Sequence, residues 1–259
     1  MKKGQNMRKH AQVNGQVPLK NVAAFMAMVQ RLQDRHPKLP GLGVCSGHSG
    51  LGKTEASIFA QNITNAVRVE CLSRWTARDL MEALLRELKQ EVKRNERIAT
   101  MEARVIAAMG DDPTRPLFID EADKMFDRGL IEIARELQEG SGAPVVLIGE
   151  EKLPTKLLTV EKVHNRVQTW FVAQPCDLED TQQLARAFQP KLKIADDLLT
   201  KVVNLSQGRA RRIVNALSDI GDFARNKNLA DIDLAQFTGK IATGAPPAAR
   251  PIDAYAQVA

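Results

Sequence analysis

Residues 47–54, Gly47-His48-Ser49-Gly50-Leu51-Gly52-Lys53-Thr54, fit the pattern G-x-x-x-x-G-K-[ST]. Before them lies GLGVCSG (41–47), a short apolar run bounded by glycines that predicts a buried strand; after them KTEASIFAQNIT (53–64) has helical spacing. A strand, a glycine loop and a helix in that order form the context in which this pattern cradles phosphate groups. The glycines let backbone amides turn inward, and the helix N-terminus adds partial positive charge. Lys53 is then expected on the β- and γ-phosphates, and the Thr54 hydroxyl on a magnesium ion.

Working outward, AVRVECL (66–72), PLFID (116–120), APVVLIG (143–149) and QTWFVA (168–173) are four further short apolar runs. Helical patterns fall between them: NVAAFMAMVQRLQDRH (21–36) ahead of the first run, TARDLMEALLRELKQ from Thr76 with Asp79 as its capping partner, and DRGLIEIARELQ. The charged stretch EVKRNERIATMEARVIAAM is expected to continue as helix, with a break near Asn95 to Thr100. Five strands alternating with helices predict an α/β nucleotide-binding core around a parallel sheet. Beyond Pro175 the segments LEDTQQLARAF, ADDLLTKVVNLSQ and GRARRIVNALSDIGDFARNK are helical, and no strand-like run is apparent. The expected organisation is a basic N-terminal arm (1–20), an α/β domain (21–176), a small all-helical lid (177–240) and a disordered Ala/Pro-rich tail (241–259).

The run Leu117-Phe118-Ile119-Asp120-Glu121 carries a carboxylate pair at the C-terminal edge of a strand, where open α/β sheets bind ligands. Asp120 is expected to complete a magnesium shell through water, and Glu121 to polarise a water for attack on the γ-phosphate. The chain has no guanine-reading NKxD sequence, which favours ATP. Arg166, just before the last strand, has two readings: a surface ion pair, or a side chain that reaches a neighbouring subunit's γ-phosphate. In Gly208-Arg209-Ala210-Arg211-Arg212, basic residues open a helix against its dipole, which suggests an anionic partner such as bound nucleotide.

With 44% hydrophobic and 26% charged residues, the 259-residue chain is too apolar for wholesale disorder, and no apolar run nears the roughly 20 residues of a membrane span. Cys45, Cys71 and Cys176 are odd in number and form no CxxC pair, so no disulfide framework or cysteine zinc site is expected. The first ten residues do not form a signal peptide. A reducing compartment, such as the cytoplasm, is the expected setting. The net charge of +6 is uneven: residues 1–40 hold eight basic side chains against Asp34, a net +7, and the remainder is near neutral at −1. Such an arm is either a solvated tail or an attractor of phosphate backbones, with Lys2, Lys3, Arg8 and Lys9 as the expected DNA contacts.

The layout resembles the AAA+ ATPases over about residues 20–240, on the loop GHSGLGKT, the IDEAD strand end, the arginine before the fifth strand and the GRAR helix start. The resemblance implies sheet order 5-1-4-3-2 with a lid closing over ATP. It also implies Arg166 as arginine finger and Arg211, or alternatively Arg212, as the second sensor. The fourth strand departs from the family pattern, ending in Gly149 and Glu150 where many members place a polar first sensor. LSRWTARDLMEALL and VVLIGEEKL look most similar to transposition ATPases, the Mu-like phage B protein and the helper ATPases of bacterial transposons. With 46 residues ahead of the loop, the helix-turn-helix domain of a Mu-type B protein is not expected among them. This resemblance implies an ATPase that polymerises with ATP and Mg2+ on duplex DNA and presents it to a transposase. Arg74 would then face the DNA, and Trp75 would either stack there or pack against the following helix. Two rival expectations are a helicase- or clamp-loader type machine and an ATP-gated assembly switch with little turnover.

Overall fold

The computed structural model describes Val17 and residues 19–241; Lys2, Lys3, Arg8 and Lys9, and the tail from residue 242, lie outside the described residues. The chain opens with α1 (Lys20–Gln33), whose Val22, Phe25, Met28, Val29 and Leu32 are buried. Then come β1 (Leu42–Ser46), α2 (Lys53–Thr64), β2 (Val67–Glu70), α3 (Ala77–Glu87), α4 (Ile98–Gly110) and β3 (Leu117–Asp120). A 3-10 turn (Ala122–Arg128) leads to α5 (Ile131–Ser141) and β4 (Val145–Ile148). Two short helices, α6 (Leu153–Leu158) and α7 (Glu161–His164), precede β5 (Val167–Val172). The lid holds α8 (Leu178–Phe188), β6 (Lys193–Ile194), α9 (Asp196–Ser206), α10 (Ala210–Asn226) and β7 (Asp231–Ile232).

The first five strands form one parallel sheet in the order β2-β3-β4-β1-β5, which is 5-1-4-3-2 read from the other edge. A parallel sheet must be covered on both faces, and β1, β3 and β4 are buried at every position. On one face Phe25 of α1 meets Phe118 of β3 edge to face, 5.4 Å between centroids, in a core that also takes in Phe59 of α2 and the lid residues Leu184, Leu199, Ile213 and Leu217. On the other, Leu84 and Leu85 of α3, Val105 of α4 and Leu137 of α5 pack on Leu117, Ile119 and Leu147.

Thr76 and Asp79 form the expected reciprocal capping box at the start of α3. The helix then stops earlier than its charged continuation predicts. Lys89 adopts φ 59 and Asn95 φ 60, and the Gln90 amide turns back to the Leu85 carbonyl. Residues 88–97 are not helical because Gln90 to Glu96 offer almost no apolar face to bury; Arg104 ties them down through Glu96, at 2.8 Å, and the Glu91 carbonyl. The lid is helical with one addition, a two-residue parallel pairing of β6 with β7 that is too short to leave a periodic signal. Cys45, Cys71 and Cys176 are buried and unpaired, and burial pushes each thiol up to about 12. Among the described residues, no helix is long and apolar enough to cross a membrane.

One buried amide joins three distant segments. Asn21 Nδ2 donates to the Leu51 carbonyl in the glycine loop (2.9 Å) and to the Gln174 carbonyl after β5 (2.8 Å), while Oδ1 accepts the Gln174 N–H (2.9 Å). Asn21→Ala should cost about 2–3 kcal/mol, because it strands buried backbone groups as well as removing bonds. Urea unfolding would read this as a lowered midpoint at constant slope; an unchanged midpoint would contradict the role assigned to this side chain.

Candidate functional site

The C-terminal ends of β1, β3 and β4 lie side by side, so the segments that follow them converge on one edge of the sheet. After β1, the loop takes φ 147, 85 and 84 at Gly47, Gly50 and Gly52, conformations that a Cβ would strain, and Gly52 caps α2. Lys53 curls into the loop, its ammonium donating to the carbonyls of Gly47 (2.6 Å) and His48 (2.9 Å). An ammonium held only by neutral carbonyls will exchange them for anionic oxygens, which bind it more strongly. Thr54 stands in the first turn of α2, Leu51 is buried, and His48 and Ser49 are exposed, with His48 Nδ1 3.4 Å from Glu151.

At the end of β3, Asp120 is buried, and its Oδ1 accepts the Glu121 N–H at 2.9 Å. Its other oxygen accepts from Arg68 of β2 at 2.6 Å. Glu121 has the left-handed φ of 56, a strained choice for a residue with a side chain, and its carboxylate is half-exposed beside Lys124 at 3.3 Å. Thr54 and Asp120 offer hard oxygens only, and among the described residues no three His, Cys, Asp or Glu side chains cluster as a metal cage. That donor set fits magnesium, which keeps water ligands and is shared with phosphates.

Asp123 accounts for the departure at the fourth strand. Its carboxylate tucks under the turn after β4 and accepts the Glu150 N–H at 2.5 Å, and burial pushes its titration upward. A Cβ on Gly149 would lie 2.1 Å from Asp123 Oδ2 and 2.9 Å from Leu153 Cδ2, so no side chain fits at 149. Glu150, exposed, and Gly149 both line the cleft.

The cleft has a volume of ≈ 380 Å³ and lies between core and lid. Its polar end is made by Lys53, Thr54, Asp120, Glu121 and Arg211, and its apolar end by Val17, Leu19, Val22, Leu184, Phe188 and Val214. One polar and one apolar end at this size suit a nucleotide. The two candidate lid arginines separate here: Arg211 lines the cleft and its backbone N–H donates to the Gly50 carbonyl at 3.2 Å, whereas Arg212 does not line it.

Arg166 is elsewhere. Its carbonyl accepts the N–H of Leu42, the first residue of β1, so it sits at the sheet edge opposite the glycine loop. Its half-exposed side chain bonds Glu139 through Nε at 2.6 Å, which holds the Glu139 carboxyl below its ordinary value. Arg74 is exposed in the turn after β2 beside the exposed Leu72, while Trp75 is half-buried against the core under α3. Sequence reasoning missed Asn21, Arg68, Asp123 and the cleft wall of Val17 and Leu19. Only Arg68 carried a signal, a cation inside the strand run VRVE. Gly149→Ala should destabilise the fold by about 1–3 kcal/mol by overpacking. A thermal midpoint equal to the parent's would mean that Asp123 does not need this space.

Residues 35–157 match a family model described as an AAA domain. Among solved structures, the Aeropyrum pernix ORC2 protein in its ADP form is similar at TM-score 0.64 and 12% identity, covering 82% of this chain and 65% of that one. The Aeropyrum pernix ORC1 protein in complex with DNA gives 0.61 and 14%, covering 82% and 61%. The Thermotoga maritima RuvB Holliday junction branch migration motor gives 0.56 and 16%, covering 83% and 66%. The chain thus spans less than two thirds of the length of these proteins. No curated protein matches its sequence. Residues 35–157 are thus similar to an AAA domain, and the five-stranded parallel sheet with its helical C-terminal region has the P-loop fold of these solved structures.

Proposed function

We propose that this protein is an AAA+ ATPase that assembles with copies of itself on duplex DNA and delivers that DNA to a transposase. The observation that carries the assembly is the placement of Arg166. It is half-exposed at the edge of the sheet opposite the glycine loop, so it can serve a neighbour's cleft and not its own. A contact of that kind is head-to-tail, and it builds a ring or an open helical filament. Support for DNA comes from the basic N-terminal residues and from fold relatives named for DNA complexes and branch migration. Support for the transposase comes from the two sequence segments that look like transposition ATPases.

Within the cleft, the loop amides and Lys53 bind the β- and γ-phosphates, and Arg211 closes the lid onto them. Thr54 and Asp120 would hold a magnesium ion, which would supply charge neutralisation of the phosphates. Glu121 orients the attacking water and accepts its proton, and the neighbour's Arg166 offsets charge that builds on the γ-phosphate. In the lone chain Arg166 is engaged by Glu139, so assembly has to free it. That engagement also favours a second reading, an assembly switch with little turnover.

Lys53→Ala should abolish both ATP binding and ATP-dependent co-sedimentation with random-sequence DNA; a parental protein that stays monomeric with ATP and DNA at low salt would sink the assembly. Glu121→Gln should assemble normally and stop hydrolysis. Parental turnover too slow to separate from this variant would select the switch reading. Deleting residues 1–10 removes Lys2, Lys3, Arg8 and Lys9 and spares the cleft wall at Val17 and Leu19. DNA affinity should fall, and its salt slope should flatten by about 0.9 for each phosphate that is no longer neutralised. Unchanged affinity would reduce the arm to a solvated tail.

A further inference from the structure

Asp120 is already partnered before any cation reaches it. Its side chain is 3% exposed, and that of Arg68 is 15% exposed. Strand β2 alternates, with Val67 and Val69 buried among α3 and α4. Arg68 therefore points to the opposite face, where it stands beside Phe118 in register and reaches diagonally to Asp120. Its Nε donates to Ser57 Oγ of α2 at 3.0 Å, and Ser57 in turn donates to the Thr54 carbonyl at 2.7 Å. One guanidinium thus ties together the first turn of α2 and the end of β3, the two elements that present Thr54 and Asp120. Arg68 does not itself line the cleft.

Both oxygens of Asp120 are occupied, one by the Glu121 amide and one by Arg68. A buried carboxylate without such partners carries a large desolvation cost, so the pair stabilises the empty cleft. The same pairing opposes a second cation. A magnesium ion that draws on Asp120 would compete with the Arg68 N–H for the same carboxylate, and like charges converging on one poorly solvated group repel each other.

The geometry points to Arg68 as a positioning residue that holds the Asp120 carboxylate in the cation's stead while the cleft is empty and competes with magnesium for it when nucleotide binds. This rests on the reading of the cleft as a magnesium-nucleotide site. Magnesium dependence is then set by β2, a strand outside the phosphate loop and the acidic strand end.

The test is a magnesium titration of the binding of a fluorescent ATP analogue to the full chain, with a parallel measurement in EDTA. Arg68→Gln should lower the half-saturating magnesium concentration about tenfold, as expected when one charge-assisted bond no longer opposes the ion. Affinity in EDTA should not rise, because Arg68 reaches the nucleotide only through Asp120, whose unpaired charge would repel the phosphates. Arg68→Lys, which keeps the charge and loses the fork, should fall nearer the parent. Ser57→Ala leaves both charges in place and loosens Arg68, so it should shift the midpoint the same way by roughly threefold. Arg68→Gln should also melt earlier than the parent when empty and gain more from magnesium-nucleotide.

If Arg68→Gln does not fold, Ser57→Ala decides. A magnesium midpoint that is unchanged or raised in the folded variants would overturn the proposal and make Arg68 a structural strap or a helper of the ion. Failure of the parental protein to bind the analogue at any magnesium concentration would overturn the cleft reading, and this inference with it.

Discussion

A phosphate cradle requires consecutive backbone amides to point into one concavity, a conformation that no regular secondary structure supplies. The chain meets this at Gly47, Gly50 and Gly52 by placing residues without Cβ atoms where φ is positive. A loop of that shape does not hold itself, and its surroundings can be understood as its supports. β1 fixes one end, α2 the other, Asn21 grips the Leu51 carbonyl, Arg211 grips the Gly50 carbonyl, and Lys53 spans the inside. Each support comes from a different stretch of chain, so the parallel sheet and the lid are conditions for the loop.

The acidic wall obeys a different constraint, the cost of burying charge. Asp120, Glu121 and Asp123 lie within four residues, and the structure treats each separately. Asp120 is neutralised by Arg68, Glu121 is left half-exposed on a strained backbone, and Asp123 is satisfied by the Glu150 amide in a space that Gly149 leaves open. Of these three, Glu121 alone is left half-exposed at the cleft. Gly149, which looked like a missing sensor, is the counterpart of Asp123 one strand away.

Much of this was legible in the sequence, for reasons that differ by element. The helices at 53–64 and 178–188 match their expected spans because a glycine and an aspartate, respectively, cap them and their apolar faces are regular. The central strands β1, β3 and β4 were visible because a doubly covered parallel sheet demands uninterrupted apolar runs, and the edge strands β2 and β5 were visible from shorter, interrupted ones. The end of α3 was misjudged because side-chain periodicity does not report the left-handed turn at Lys89. The apolar half of the cleft was invisible, because Val17 and Leu19 belong to no periodic element and gain their meaning only from Leu184, Phe188 and Val214, more than 160 residues away. Arg68 needed the register of β2 against β3 before its partner could be named.

The bonds of Asn21 also bear on how the protein is made. Gln174 is 153 residues downstream of Asn21, and the loop that Asn21 secures is complete only when both are present. On a ribosome adding about 5–20 residues each second, the glycine loop emerges many seconds before its clamp. For that interval the nascent chain carries the glycine loop without the full set of bonds that ties it to the rest of the fold. Synthesis has to pass the fifth strand before Asn21 can make all three of its bonds.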